Sequence, residues 1–198
     1  NLPGIHNVQN ALAAIAVASE LDVPDKFIVL SLKNFAGIDR RFQITNDLPF
    51  KSGAVTLIDD YGHHPTEILA TINAVHSGWE GKRITLVFQP HRYTRTNELF
   101  DEFIDVLSQV EQVIITDIYS AGEEAIDGIN GMTIINALEN KMNSTPIFAE
   151  SLNAIPAILN EILHDGEILL LMGAGDIGDF VSDLPKLLTK DMKNTGDV

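Results

Sequence analysis

Beyond a first pair of β-like runs after residue 41, the chain alternates short apolar runs with amphipathic helical stretches, with polar loops between them and no internal repeat. The runs, counting the second of that pair, are Ala54–Ile58, Arg83–Phe88, Gln112–Thr116, the weaker Pro146–Phe148 and Glu167–Met172. Such short, nearly continuous apolar runs separated by helices are the pattern of buried strands joined by crossovers. They predict an α/β fold with a doubly wound, mostly parallel sheet. Pro65–His76 is the clearest helix, with Pro65 in its first turn and Ile68, Leu69, Ile72 and Val75 on one face. Further helices are expected over Thr96–Val110, with Thr96 as N-cap and Leu99, Phe100, Phe103, Ile104 and Leu107 inward, and over Gly131–Lys141. Ser151–Leu163, with Pro156 near its start, and Asp176–Leu188 complete the set, and the polar tail after Lys190 is expected to fray.

The first forty residues differ. Val8, Ala11, Leu12, Ile15 and Ala16 recur at helical spacing, Leu21-Asp22-Val23-Pro24 breaks the pattern, and a second short helix runs through Phe27, Ile28, Leu30 and Leu32. Ala36-Gly37-Ile38-Asp39 is expected to end it. Phe42–Thr45 and Ala54–Ile58 then suggest a hairpin, separated by Asn46-Asp47 and Pro49…Gly53. A boundary between an all-helical part, residues 1–38, and an α/β part, residues 39–198, falls near Gly37–Arg41.

Composition narrows the function. Lys+Arg number 13 against 28 Asp+Glu, a formal net charge of −15, which argues against a nucleic-acid or anionic-membrane binder. No apolar run approaches the ~20 residues of a membrane span. With no Cys, disulfide scaffolds and Cys-based zinc sites are excluded. The chain opens on Asn1-Leu2-Pro3-Gly4 without Met or a signal-peptide pattern, and is expected to be a piece of a longer protein.

In an open α/β sheet, ligands bind beyond the carboxyl ends of the strands. Four polar loops follow the strands there: Asp59-Asp60-Tyr61-Gly62-His63-His64-Pro65, Gln89–Thr96, Asp117–Glu124 and Gly173–Gly178. The amino ends show no comparable collection. His91, Arg92 and Arg95 sit at or before a helix start, and two guanidinium forks beside backbone donors suit carboxylate or phosphate. In the first loop Asp59 and Asp60 suit a ribose or a cation, Tyr61 and His63 add polar and acid–base groups, and His64 is expected to cap the helix that Pro65 begins. Gly173–Gly178 matches G-x-G-x-x-G, but it lies on the last strand with Asp176 where a pyrophosphate would sit. Its glycines are expected to let the backbone approach a ligand or a neighbouring element. His76 and His164 show no partner, and Trp79 is expected to pack. The residues alone leave two further readings open: a metal-dependent hydrolase built on Asp59, Asp60, His63, His91 and Asp117, and a non-catalytic nucleotide-binding module.

Taken together, Gly4–Ala14, Gly37-Ile38-Asp39-Arg40-Arg41-Phe42, Asp59–Pro65 and His91-Arg92-Tyr93-Thr94-Arg95-Thr96 resemble the Mur ligase family of peptidoglycan synthesis, in its alanine-adding branch. The resemblance runs from residue 1 to about 188. It implies a Rossmann-like C-terminal domain over 39–198, preceded by the last two helices of a central ATP-binding domain. It also implies an ATP- and Mg2+-dependent enzyme of the bacterial cytoplasm that joins L-alanine to UDP-N-acetylmuramate through an acyl phosphate. On the same resemblance Asn7 contacts adenine with His6 beside it, Arg41 binds the nucleotide and Asp60 holds the ribose. Tyr61, His63, His91, Arg92 and Arg95 shape the site for L-alanine and the muramoyl carboxylate, with His63, His91, Arg92 and Arg95 the catalytic set. The phosphate-cradling G-x-x-x-x-G-K-[ST] loop that the family needs is missing from this chain. Its N-terminal and central domains and most metal ligands are therefore expected upstream.

Overall fold

The computed structural model describes residues 4–35, 37 and 39–194. Two helices come first, α1 (Ile5–Glu20) and α2 (Asp25–Asn34). An antiparallel hairpin, β1 (Gln43–Phe50) and β2 (Gly53–Asp60), opens the sheet. Alternation follows: α3 (Pro65–Gly78), β3 (Ile84–Phe88), α4 (Tyr93–Glu98), α5 (Phe100–Leu107), β4 (Gln112–Thr116), α6 (Gly131–Glu139), β5 (Ile147–Ala149), α7 (Ile155–Ile162), β6 (Ile168–Met172) and α8 (Ile177–Asn194). The sheet order is β1-β2-β6-β3-β4-β5, parallel everywhere except at β1. The expected α/β, mostly parallel architecture is therefore present.

Every residue of β3, β4 and β6 is buried, because helices cover both faces of these central strands. Ile68, Ile72, Phe103, Leu107, Ile134 and Leu138 from α3, α5 and α6 pack on one face with Phe88 and Leu170. Ile155, Leu159, Ile177, Leu184 and Leu188 from α7 and α8 pack on the other with Leu169 and Leu171. The alternation of Leu169–Leu171 against Leu170–Met172 thus separates two cores with one strand. Trp79 packs as expected, stacked on Phe42 at 6.2 Å.

Four local expectations need correction. β1 runs on through Asn46-Asp47 and Pro49, which were expected to separate strands. A bulge between Thr45 and Leu48 places Asp47 at φ +52, and Pro49 is tolerated because β1 is an edge strand. Thr96 does not cap a helix: it is fully buried inside α4, and its Oγ1 donates to the Arg92 carbonyl at 2.8 Å. The expected single helix over Thr96–Val110 is two, because Leu99 leaves helical geometry at φ −114. The final helix continues through Lys190 to Asn194. The expected helix end at Ala36–Asp39 lies partly outside the described residues; α2 stops at Asn34.

The amino edge also carries a polar network that was not foreseen. Glu167, 3% exposed, accepts from Arg83 Nη1 at 2.6 Å on Oε1 and from Thr85 Oγ1 at 3.0 Å on Oε2, and His164, expected to lack a partner, places Nδ1 2.7 Å from the same Oε1. Arg83 immediately precedes β3 and Glu167 immediately precedes β6, so only the sheet order makes them neighbours. The burial of β6 sets a test. Leu170→Ala, at a fully buried position between β2 and β3, should cost about 2–5 kcal/mol in urea denaturation. The slope against denaturant should not change.

Candidate functional site

The site is built on a row of aligned strand ends. Asp60 pairs with Met172, Met172 with Phe88, and Phe88 with Ile115 across β2, β6, β3 and β4. The loops that follow therefore leave the sheet side by side. The segment after β3 is joined to that after β4 by Arg92 N–H donating to the Tyr119 carbonyl and Tyr119 N–H to the Pro90 carbonyl, both at 2.8 Å. Arg92 itself sits at φ +74, a conformation a β-carbon disfavours. Its backbone is held there by the Tyr119 bond and by Thr96 Oγ1 on its carbonyl.

Four rings and three guanidinium groups lie along this edge. Arg40 and Arg41 lie 5.3 and 5.7 Å from the Tyr61 ring centroid. Tyr61 meets His63 edge-on at 5.3 Å, His63 lies 5.6 Å from His91, and His91 stacks on Tyr119 at 5.4 Å. Arg95 Nη1 donates to His91 Nδ1 at 3.3 Å and to the His91 carbonyl at 3.2 Å. Burial lowers the His91 pKa from its usual value, and the nearby His63, Arg95 and Arg92 charges act in the same direction. Of the sequence-predicted residues, Tyr61, His63, His91, Arg92, Arg95 and Arg41 thus come together on one edge.

Asp60 and Asp59 do different work. Asp60, 6% exposed, accepts from Phe42 N–H at 2.9 Å and Gly62 N–H at 2.7 Å, tying the linker to the first site loop. Arg40 Nη2 donates to the Gly173 carbonyl at 2.6 Å, and its Nε lies 3.6 Å from Asp59 Oδ1. Neither of those two ion-pair atoms has a hydrogen bond among the described residues. Burial pushes the Asp59 carboxyl up to about 6, opposed by Arg40 and reinforced by Asp60. Asn7 lies half-buried on α1; the His6 side chain lies outside the described residues.

His64 caps α3 as expected: its Nδ1 accepts from Thr66 N–H at 3.3 Å, and Glu67 returns to the His64 N–H at 3.2 Å. The glycines of Gly173–Gly178 allow close approach to neighbouring elements. Gly173, at φ +147, would bring a β-carbon within 2.8 Å of the Gln89 carbonyl, and a β-carbon on Gly178 would overlap the Arg40 guanidinium.

Three supporting residues were given no role from the sequence. Gln89, 5% exposed, donates to Asp176 Oδ1 at 2.6 Å and accepts from Ile177 N–H at 3.1 Å, fixing the start of α8. Glu123 accepts from Thr94 N–H at 3.0 Å and Thr94 Oγ1 at 2.8 Å, and lies 3.5 Å from Arg92 Nη1. Tyr119 supplies the face against His91. Their one legible signal was their position in loops after strands. Beyond Tyr119 the edge opens into a cleft of about 570 Å³ whose lining includes Asp117, Glu150 and Asp176, an acidic flank to a basic centre. Asp117 Oδ1 is engaged by Ile118 and Gly131 N–H groups. Among the described residues, no three His, Asp or Glu side chains gather as a metal cage, and no helix is long and apolar enough to cross a membrane.

The raised Asp59 pKa sets the sign of a pH effect. A carboxyl whose folded pKa exceeds its unfolded value leaves the fold unpenalised below about 3.8, and stability falls as pH rises through about 6. The shift corresponds to roughly 3 kcal/mol at most. The stability difference between wild type and Asp59→Asn should therefore move in favour of the variant as pH rises from about 3.8 to about 6, and stay level above that. Chemical denaturation at stepped pH measures it, and a pH-independent difference would contradict this reading.

Residues 40–175 match the domain family described as Mur ligase, glutamate ligase domain. A UDP-N-acetylmuramate–L-alanine ligase of Burkholderia multivorans is 50% identical over 179 residues, 90% of this chain and 38% of that protein. One of Methylococcus capsulatus is 46% identical over 188 residues, 95% of this chain and 40% of that protein. Among solved structures, UDP-N-acetylmuramate–alanine ligase from Thermotoga maritima superposes with a TM-score of 0.71 at 26% identity, covering 98% of this chain and 39% of the other. The chain thus spans about two fifths of the length of the curated relatives it matches.

Proposed function

Because the chain belongs to the Mur ligase family through its glutamate ligase domain, we propose that it is the C-terminal part of an ATP-dependent ligase. This enzyme joins L-alanine to the carboxylate of UDP-N-acetylmuramate in bacterial peptidoglycan synthesis, in the cytoplasm. The observation that carries the reading is the convergence of Tyr61, His63, His91 and Arg95 from two loops on the rim where Arg92 also lies. Both the acyl phosphate and the tetrahedral species formed from it concentrate negative charge, which preorganised Arg and His donors stabilise. ATP supplies the phosphoryl group that activates the sugar-linked carboxylate. Arg92, Arg95 and His91 hold substrate oxygens, and Tyr61 and His63 flank the incoming amino acid.

The nucleotide side fits the same reading. Arg41 keeps an exposed guanidinium beside Tyr61, suited to a phosphate. A carboxylate accepts up to about four hydrogen bonds, so the backbone N–H groups on Asp60 do not close it to a ribose hydroxyl. Asn7, with His6 beside it, serves the base. The Mg2+ that accompanies ATP is left to the remainder of the protein, and no step is assigned to a metal held by this chain. A hydrolase built on Asp59, Asp60, His63, His91 and Asp117 is not favoured, because those three carboxylates are turned to Arg40 and to backbone N–H groups.

Residues 1–38 belong, on this reading, to the end of the central domain and residues 39–198 to the C-terminal domain. In support, Leu12, Val17, Phe27, Val29 and Leu30 of α1 and α2 are 50–64% exposed, an apolar surface suited to another part of the same protein. The chain by itself should release no phosphate from ATP in the presence of L-alanine and UDP-N-acetylmuramate; substrate-dependent release would overturn the reading. In the intact ligase, Arg92→Ala should lower kcat/KM by about 2–4 kcal/mol of transition-state stabilisation. An unchanged kcat/KM would count against the assignment.

A further inference from the structure

The two site histidines differ in a way fixed by what each Nδ1 meets. His63 Nδ1 lies 3.1 Å from the Tyr61 carbonyl oxygen. A carbonyl only accepts, so this nitrogen carries the proton. Glu67 Oε2, 3.6 Å from the same nitrogen, favours a proton there as well. His91 Nδ1 lies 3.3 Å from Arg95 Nη1. A guanidinium only donates, so this nitrogen holds the lone pair. A neutral imidazole carries one proton, so the second nitrogen of each ring is the opposite of its first. His63 presents a lone pair at Nε2 and His91 presents an N–H at Nε2, on rings 5.6 Å apart.

We propose that this pair divides the labour of amide formation: His63 Nε2 takes a proton from the ammonium of the incoming amino acid, and His91 Nε2–H donates to a substrate oxygen. The proposal rests on the ligase reading above and extends it to the protonation step. An ammonium has no lone pair and cannot attack. Once His63 has taken one proton, the nitrogen lone pair forms the C–N bond to the acyl carbon. The tetrahedral species then breaks the C–O bond to phosphate, and the second nitrogen proton leaves with that phosphate. The surroundings suit each role. The imidazolium formed at His63 faces Glu67, whereas a charged His91 is disfavoured first by burial and then by the His63, Arg95 and Arg92 charges. His91 therefore stays a neutral donor while His63 cycles.

Long-range 1H–15N correlation spectra of the histidine-labelled chain read the tautomers without any turnover. The expected result is Nδ1–H for His63 and Nε2–H for His91. Arg95→Ala should shift His91 away from a single tautomer and leave His63 unchanged. The same tautomer at both rings would overturn the proposal. In the intact ligase, His63→Gln should slow turnover with L-alanine by ~10²–10⁴-fold at neutral pH. With hydroxylamine, a nucleophile largely unprotonated at that pH, the loss should shrink to about tenfold or less. Equal losses with both nucleophiles would overturn the role of His63 as base. A wild-type protein that consumes ATP with neither nucleophile would instead remove the ligase reading, and the base role with it, while the tautomers stand on the spectra.

Discussion

The row Asp60, Met172, Phe88 and Ile115 is the constraint on which the site depends. Parallel pairing in register makes β2, β6, β3 and β4 end at one level, so four loops leave the sheet together. β6, the last strand in the chain, is the one inserted between β2 and β3. Its burial on both faces holds the two halves of the site at a fixed spacing. Arg92, in its left-handed conformation, and His91, stacked on Tyr119, are positioned by bonds that cross from one strand's loop to the next.

A second tie joins the linker to this rim. Asp60 is bound by the Phe42 and Gly62 N–H groups, Arg40 reaches the Gly173 carbonyl, and Gly178 leaves room for the Arg40 guanidinium. Arg40 is half-buried and Asp59 buried, and their facing Nε and Oδ1 atoms make no hydrogen bond among the described residues, so the pair adds a second charge-dependent element to the anchor. One linker thus brings Arg40 and Arg41 to Tyr61 and sets the cationic end of the aromatic row. The −15 average of the chain sits elsewhere, including the acidic cleft beyond Tyr119.

Most of the fold was legible because its signals are local. β4 was expected over Gln112–Thr116 and occupies those residues, and Pro65 with His64 announced α3. Errors arose where tertiary context overrode a local rule. Pro49 reads as a break but lies harmlessly on an outer strand. Thr96 reads as a cap, yet a buried hydroxyl with the Arg92 carbonyl four residues back bonds that instead. The helix break at Leu99 has no Gly or Pro to mark it.

By itself the sequence determined which strands are buried, which loops follow them and that Tyr61, His63, His91, Arg92 and Arg95 share an edge, since periodicity and residue order carry that information. Only the tertiary structure decided which of these groups touch. It set the Arg95–His91 bond, the Tyr61 carbonyl at His63, the Gln89 clamp on α8 and the Arg83–Glu167 network at the far edge. The physical reason is separation along the chain. Arg83 and Glu167 meet because β6 returns to pair with β3, and no local pattern at either residue encodes a partner more than eighty positions away.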